Sequence, residues 1–270
     1  MSLYSGKTLR LVPATGSTVD EAETLGFRFG EKGTHTSRTM MLDELGALLA
    51  ALPASSRRKD YSTAIIDDNV LAKSTLSTRK LSNQRLGELY GLDPSVGVFR
   101  VMRRLWDADE RSRPLLALLA ALARDPLLAG TAPAILSMEE GEEFPRVRAR
   151  EVLRDAVGTR LNDAILDKVL RNAASSWTQS GHLEGRTFKK RRHVTPTPWA
   201  FAFALYLGHA VGFRGAELFS TGWVVALDAS PTDAQSLAGE AKRLGLIDLS
   251  MSRDVVDIGL DRLDPIPART

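Results

Sequence analysis

The chemistry-bearing residues of this chain are concentrated in "EGRTFKKRRHV", from Glu184 to Val194. Arg186, Lys189, Lys190, Arg191 and Arg192 crowd there around one acid, Glu184. Ammonium and guanidinium groups at that density suit phosphate, whose neutralisation supplies most of the affinity in nucleic-acid binding. The stretch just before it adds Lys168, Arg171, Asn172, Ser175, Ser176 and Thr178, which lie off an apolar stripe of Ile165, Val169, Leu170 and Ala173. Such side chains can donate to phosphates or to base edges. A second cluster, "STLSTRKLSNQRLGELYG", carries Arg79, Lys80, Asn83, Gln84 and Arg85 opposite an inward face of Leu81, Leu86 and Leu89. The candidate DNA-binding residues are therefore Arg79, Lys80, Gln84, Arg85, Lys168, Arg171, Asn172, Arg186, Lys189, Lys190, Arg191 and Arg192.

Other chemistries find less support. The histidines are His35, His182, His193 and His209, and none stands at a metal-ligand spacing such as H-E-x-x-H. His209 lies on an apolar helix and is expected to be a core histidine. There is no phosphate-binding loop and no G-x-S-x-G nucleophile elbow. The acids of "MEEGEE" (Met138–Glu143) have no base or ligand beside them in sequence and are expected to face solvent. The absence of cysteine removes disulfides, thiolate zinc sites, iron–sulfur clusters and a cysteine nucleophile. The expectation is a protein that is not an enzyme, with no catalytic residue, no cofactor, no metal and no small-molecule substrate.

The elements that must position the cations are mainly helical. With 270 residues, 43% of them apolar, the chain can bury real cores. Its net charge of +3 means that a basic face must arise from local clustering. Residues 1–36 read as an irregular N-terminal arm, with "KTLRLVP" alternating like a strand and a short helix from Val19 to Leu25. Ser37 is the expected N-cap of a helix burying Met41, Leu45, Leu48, Leu49 and Leu52, which Pro53 stops. In "SVGVFRVMRRLWDAD", Val98, Val101, Met102 and Leu105 point inward and Arg100, Arg103 and Arg104 outward. Core helices around residues 113–136 break at Asp125-Pro126.

The expected fold class is mainly α, with two winged-helix-like units, each a helical bundle with a small β-hairpin, joined by core helices. Residues 37–137 are expected to form the first, an N-terminal helical, winged-helix-like domain. Residues 138–270 are expected to form a C-terminal winged-helix-like domain with a closing β-hairpin. In the latter, Asn162 caps a helix that Gly181 ends; residues 183–188 and 191–195 then form a cationic wing joined by a loop at 188–191, with Leu183, Phe188 and Val194 as its β-forming roots. An apolar helix follows from Pro198. It falls short of the roughly 20 residues a membrane span needs, so it is expected to be buried. Ser230 caps the next helix, Gly245 closes it, and "LIDLSMSRDVVDIGL" alternates as an acidic hairpin turning at Ser250 to Asp254.

Three segments in this order resemble the BrxA family, a small component of BREX bacteriophage-defence systems. They are "IIDDNVLAKSTLSTRKLSNQRLGELY", "ASSWTQSGHLEGRTFKKRRHV" with the apolar helix after it, and "LGHAVGFRGAELFSTGWVVAL" leading into "GLIDLSMSRDVVDIGL". The resemblance spans residues 37–260 and implies a mostly helical fold with winged-helix units, association with DNA and a place in phage defence. It carries no functional residue across and does not reach residues 1–36.

The expectation is a cytoplasmic, non-enzymatic protein that binds double-stranded DNA, with other proteins of a defence complex as further partners and no membrane contact. The alternative is an adaptor that uses the same folds to dock proteins, with the acidic hairpin as its contact.

Overall fold

The computed structural model describes Leu11 and residues 18–30, 32–252 and 255–265. The strand-like "KTLRLVP" lies outside the described residues except for Leu11, which is buried. The chain is mainly helical. Helix α1 (Thr18–Thr24) matches the short helix expected there, and a 3-10 turn (Thr34–Thr36) follows it. Then come α2 (Leu42–Ala51), α3 (Arg58–Ile66), α4 (Leu76–Tyr90), α5 (Gly97–Trp106) and α6 (Arg113–Arg124). The short α7 (Pro126–Ala129) and α8 (Ala132–Leu136) lead to α9 (Arg146–Val157) and α10 (Asp163–Gln179). Strands β1 (Leu183–Glu184) and β2 (Lys190–Arg191) form one antiparallel hairpin. Helices α11 (Pro198–Ala210), α12 (Gly222–Val225) and α13 (Pro231–Arg243) precede a second hairpin, β3 (Asp248–Ser252) with β4 (Val255–Gly259).

Local signals account for many of these boundaries. The Asn162 side chain accepts the Ile165 amide at 2.9 Å and starts α10. Asp125 caps α7 by accepting the amides of Leu127 and Leu128. At α13, Ser230 and Asp233 form a reciprocal capping box with proline in the first turn. One expected cap differs. Ser37 closes the 3-10 turn, and α2 begins after Met41, which holds a left-handed backbone with φ 55°.

Both hairpins lie after residue 138, and among the described residues of 37–137 there is no strand. The expectation of one hairpin in each half is corrected accordingly. The halves also share their core. Helix α11 is buried from Ala200 to Gly208 and packs on α5 and α6 of the first half and on α12 and α13 of the second. A smaller cluster, built on Leu153, Leu166, Val169 and Leu170, joins α9 and α10 to α7 and α8. Among the described residues no single helix is long and apolar enough to cross a membrane.

Two arginines tie distant segments together. Arg103, expected outside, is buried. It pairs with Asp107 at 2.5 Å and donates to the Leu49 and Leu52 carbonyls at 3.1 and 3.0 Å, satisfying the C-terminal end of α2. Arg100 grips Asp264 through two bonds of 2.8 and 2.6 Å.

Candidate nucleic-acid interface

Helix α10 is held on two sides. Arg150 of α9 lies 2.9 Å from Asp163 and 3.9 Å from Asp167, and Arg154 also pairs with Asp163. The acids of α10's first turns are thus neutralised by its neighbour. On another side, residues 33–42 lie along the helix. Asn172 donates to the His35 carbonyl at 2.7 Å, Ser176 accepts the Met40 amide at 2.8 Å, and Gln179 accepts the Leu42 amide at 3.1 Å. Asn172, expected to contact DNA, is therefore committed to the fold. Lys168 and Arg171, one turn apart on the open face, are exposed.

The β1–β2 hairpin stands beside that open face. Its strands are shorter than the sequence suggests, and its loop runs over 185–189. Gly185 turns the chain at φ +101°, in a conformation that suits glycine. Its tip is tethered to α10: the Lys189 ammonium donates to Thr178 Oγ1 at 2.7 Å and to the Gly185 carbonyl at 3.3 Å. Burial lowers the pKa of Lys189.

A third segment completes this small sheet. The Arg191 amide donates to the Glu142 carbonyl at 2.8 Å, the Phe144 amide to the Lys189 carbonyl at 2.7 Å, and Glu143 bridges Lys190. The "MEEGEE" stretch, expected to face solvent without a partner, is in part a strand-like edge of the hairpin. Its Glu140 pairs with Arg192 at 3.0 Å.

The five cations of the opening stretch therefore have different fates. Arg191 is only 1% exposed; it pairs with Asp228 and donates to the His182 carbonyl at 3.4 Å. Its expected phosphate contact is corrected to a structural role, because a charge so buried must be paired in place. Arg192 is exposed, but Glu140 and Glu184 flank it at 3.0 and 3.1 Å. Lys189 is half-buried. Arg186 and Lys190 are exposed, and among the described residues their side chains have no hydrogen-bond or ion-pair partner.

Between α10, the hairpin loop and the start of α9 lies a cleft of about 450 Å³. Arg146, Arg171, Arg186 and Lys189 line it over a floor that includes Leu170 and Ala174, and Phe188 and Glu143 also face it. Arg146 and Phe188 were not identified by sequence as contact residues. Arg146 reads as an ordinary first-turn residue after Pro145, and only the pairing of the 142–144 segment with β2 brings it to the hairpin. Phe188 reads as a strand root, yet it is 68% exposed at the loop. A large apolar side chain without an apolar neighbour in a charged run was the available signal.

The α4 cluster is mostly occupied in holding the fold. Arg79 donates to the Lys73 and Ile66 carbonyls at 3.3 and 3.2 Å. Gln84 donates to Glu88 at 2.9 Å, and Arg85 pairs with Glu88 at 2.7 Å. Glu88 also accepts the Thr34 hydroxyl at 2.9 Å, so α4 and α10 flank the same 34–36 turn. Lys80 is exposed, with no such partner among the described residues.

The histidines also differ from expectation. His209 is half-buried, whereas His35 and His182 are the fully buried ones. Among the described residues no group of three or more histidines and carboxylates is placed to hold a metal ion. No protein-family model matches the chain, and no curated protein matches it in sequence.

Proposed function

We propose that this protein binds double-stranded DNA without acting on it chemically. The observation that carries this reading is the cation-lined cleft between α10 and the β1–β2 hairpin. A strand-like segment, two helices and a hairpin that pairs back on that segment follow the order of a winged helix. In that arrangement the second helix enters the major groove and the hairpin reaches the neighbouring backbone. The open face of α10 and the exposed hairpin cations agree with those roles. The resemblance to the BrxA family adds phage defence as the biological setting.

The free cations set the expected salt dependence. Arg146, Lys168, Arg171, Arg186 and Lys190 are exposed, and among the described residues their side chains have no hydrogen-bond or ion-pair partner. If each neutralises one phosphate, log K falls with log salt at a slope near −4.5. Replacing Arg171 and Arg186 together with alanine should weaken binding to duplexes of any sequence and flatten that slope by about 2. Unchanged affinity in an anisotropy titration would overturn the assignment.

A second reading is a protein-docking adaptor. It rests on the closing hairpin, where Met251 and Val255 are 54% and 67% exposed. A chain that captures a protein partner but fails to bind duplex at low salt would favour it.

A further inference from the structure

We infer that the cleft beside Phe188 takes one unstacked nucleotide, so that the protein prefers DNA with an unpaired base to a continuous duplex. This rests on the DNA-binding reading and specifies what that site recognises. Phosphate contact alone would need only cations on an open surface. This cleft also has an apolar floor of Leu170 and Ala174, with Phe144 beside them and Phe188 as a wall. A continuous duplex offers base edges and phosphates and keeps the faces of its bases inside the stack. An exposed phenyl ring over an apolar floor therefore finds its complement in a base that has left the stack. The Arg146, Arg171 and Arg186 rim is then placed for the phosphates on either side of that base.

The loop backbone fixes where the ring is rooted. A Cβ on Gly185 would lie 2.2 Å from the Phe188 carbonyl oxygen, so the chain folds tightly against itself at this turn. The Lys189–Thr178 bond then pins the loop to α10. Phe188 is thus rooted at the edge of the cleft, with its ring 68% exposed. A base already out of the stack needs little energy to enter such a site, which makes bulged DNA the appropriate probe.

The test uses the full chain and two otherwise identical duplexes, one fully paired and one with a single bulged 2-aminopurine. Base–aromatic stacking predicts roughly tenfold tighter binding of the bulged duplex, with quenched 2-aminopurine fluorescence. Phe188→Ala should bring the two duplexes to equal affinity and remove the quenching, and Phe188→Trp should restore both. Equal binding of the two duplexes by the unaltered protein, with unchanged fluorescence, overturns the nucleotide site and leaves duplex binding standing. Failure to bind either duplex overturns both readings.

Discussion

The Nε2 of His35 lies 2.8 Å from the Ser176 hydroxyl, and its Nδ1 lies 2.7 Å from Asp125. Carboxylate, imidazole and hydroxyl stand in the order of a hydrolase relay, but a relay needs a hydroxyl that substrate can reach. Here all three residues are buried. Ser176 accepts the Met40 amide at 2.8 Å and faces the Asn172 carbonyl at 3.0 Å. The trio is a clasp joining the 33–42 segment, the α6–α7 junction and α10.

Breaking this clasp should destabilise the fold without touching the proposed DNA-binding cleft. His35→Ala removes the ring that bonds the buried Asp125 carboxylate, at a cost of about 1–3 kcal/mol. Ser176→Ala strands one amide and one ring nitrogen, at about 1–3 kcal/mol. Urea unfolding measures both losses. Protein that remains folded should keep the duplex affinity and salt slope of the parent.

His182 predicts how stability depends on pH. Its ring spans the Ser180 hydroxyl and the Ala226 carbonyl, each at 2.9 Å. Burial lowers its pKa to about 4; Asp228 opposes that shift and Arg191 adds to it. The unfolded chain, with a histidine pKa near 6.5, therefore binds a proton that the folded chain refuses. The associated stability is complete above pH of about 6.5, is lost on acidification toward about 4, and amounts to about 3 kcal/mol. Urea midpoints across that range should fall, and His182→Gln should remove this part of the slope. Asp125 acts at lower pH: burial raises its pKa, but His35 and hydrogen bonds outweigh that and leave it below the usual carboxylate value. Its contribution is lost only as pH falls through that depressed value.

Neighbouring cations of the hairpin should behave differently. Arg191→Ala leaves Asp228 without its buried partner and should lower the unfolding free energy by about 3–5 kcal/mol. Lys190→Ala should change stability by less than about 0.5 kcal/mol and flatten the salt slope by about 0.9. Paired unfolding and salt titrations separate the two roles. Equal effects on stability would refute the distinction.

Gly185→Ala tests the loop itself. The substitution forces a left-handed conformation on alanine and drives its Cβ into the Phe188 carbonyl. Strain of at least about 1 kcal/mol should open the hairpin locally. Amide exchange should quicken at Arg191 and Arg192, whose amides bond to Glu142 and His182. Duplex affinity should fall with it.

What could be read from sequence was what short-range chemistry decides. Asn162 and Gly181 bound α10 as expected, and Ser230 and Gly245 bound α13, because caps and left-handed turns depend on nearby residues. The fate of the arginines was not legible. Arg103 looked solvated until the carbonyls of Leu49 and Leu52 came to it, and Arg191 looked like a phosphate contact until Asp228 did. A guanidinium takes whichever acceptor tertiary packing delivers, and those acceptors lie dozens of residues away. The buried role of His35 was hidden for the same reason. The cleft could be read only in part: α10 and the hairpin announce themselves as neighbours, whereas Arg146 joins them through a backbone pairing that no side-chain pattern encodes.

The central position of α11 bears on the order in which the protein matures during synthesis. The faces of α5 and α6 that it covers are made long before α11 itself leaves the ribosome, and Arg100 waits longer still for Asp264. The first half of the nascent chain therefore emerges with its apolar side uncovered. Until α11 arrives to close the core, that face is open to association with other unfinished chains.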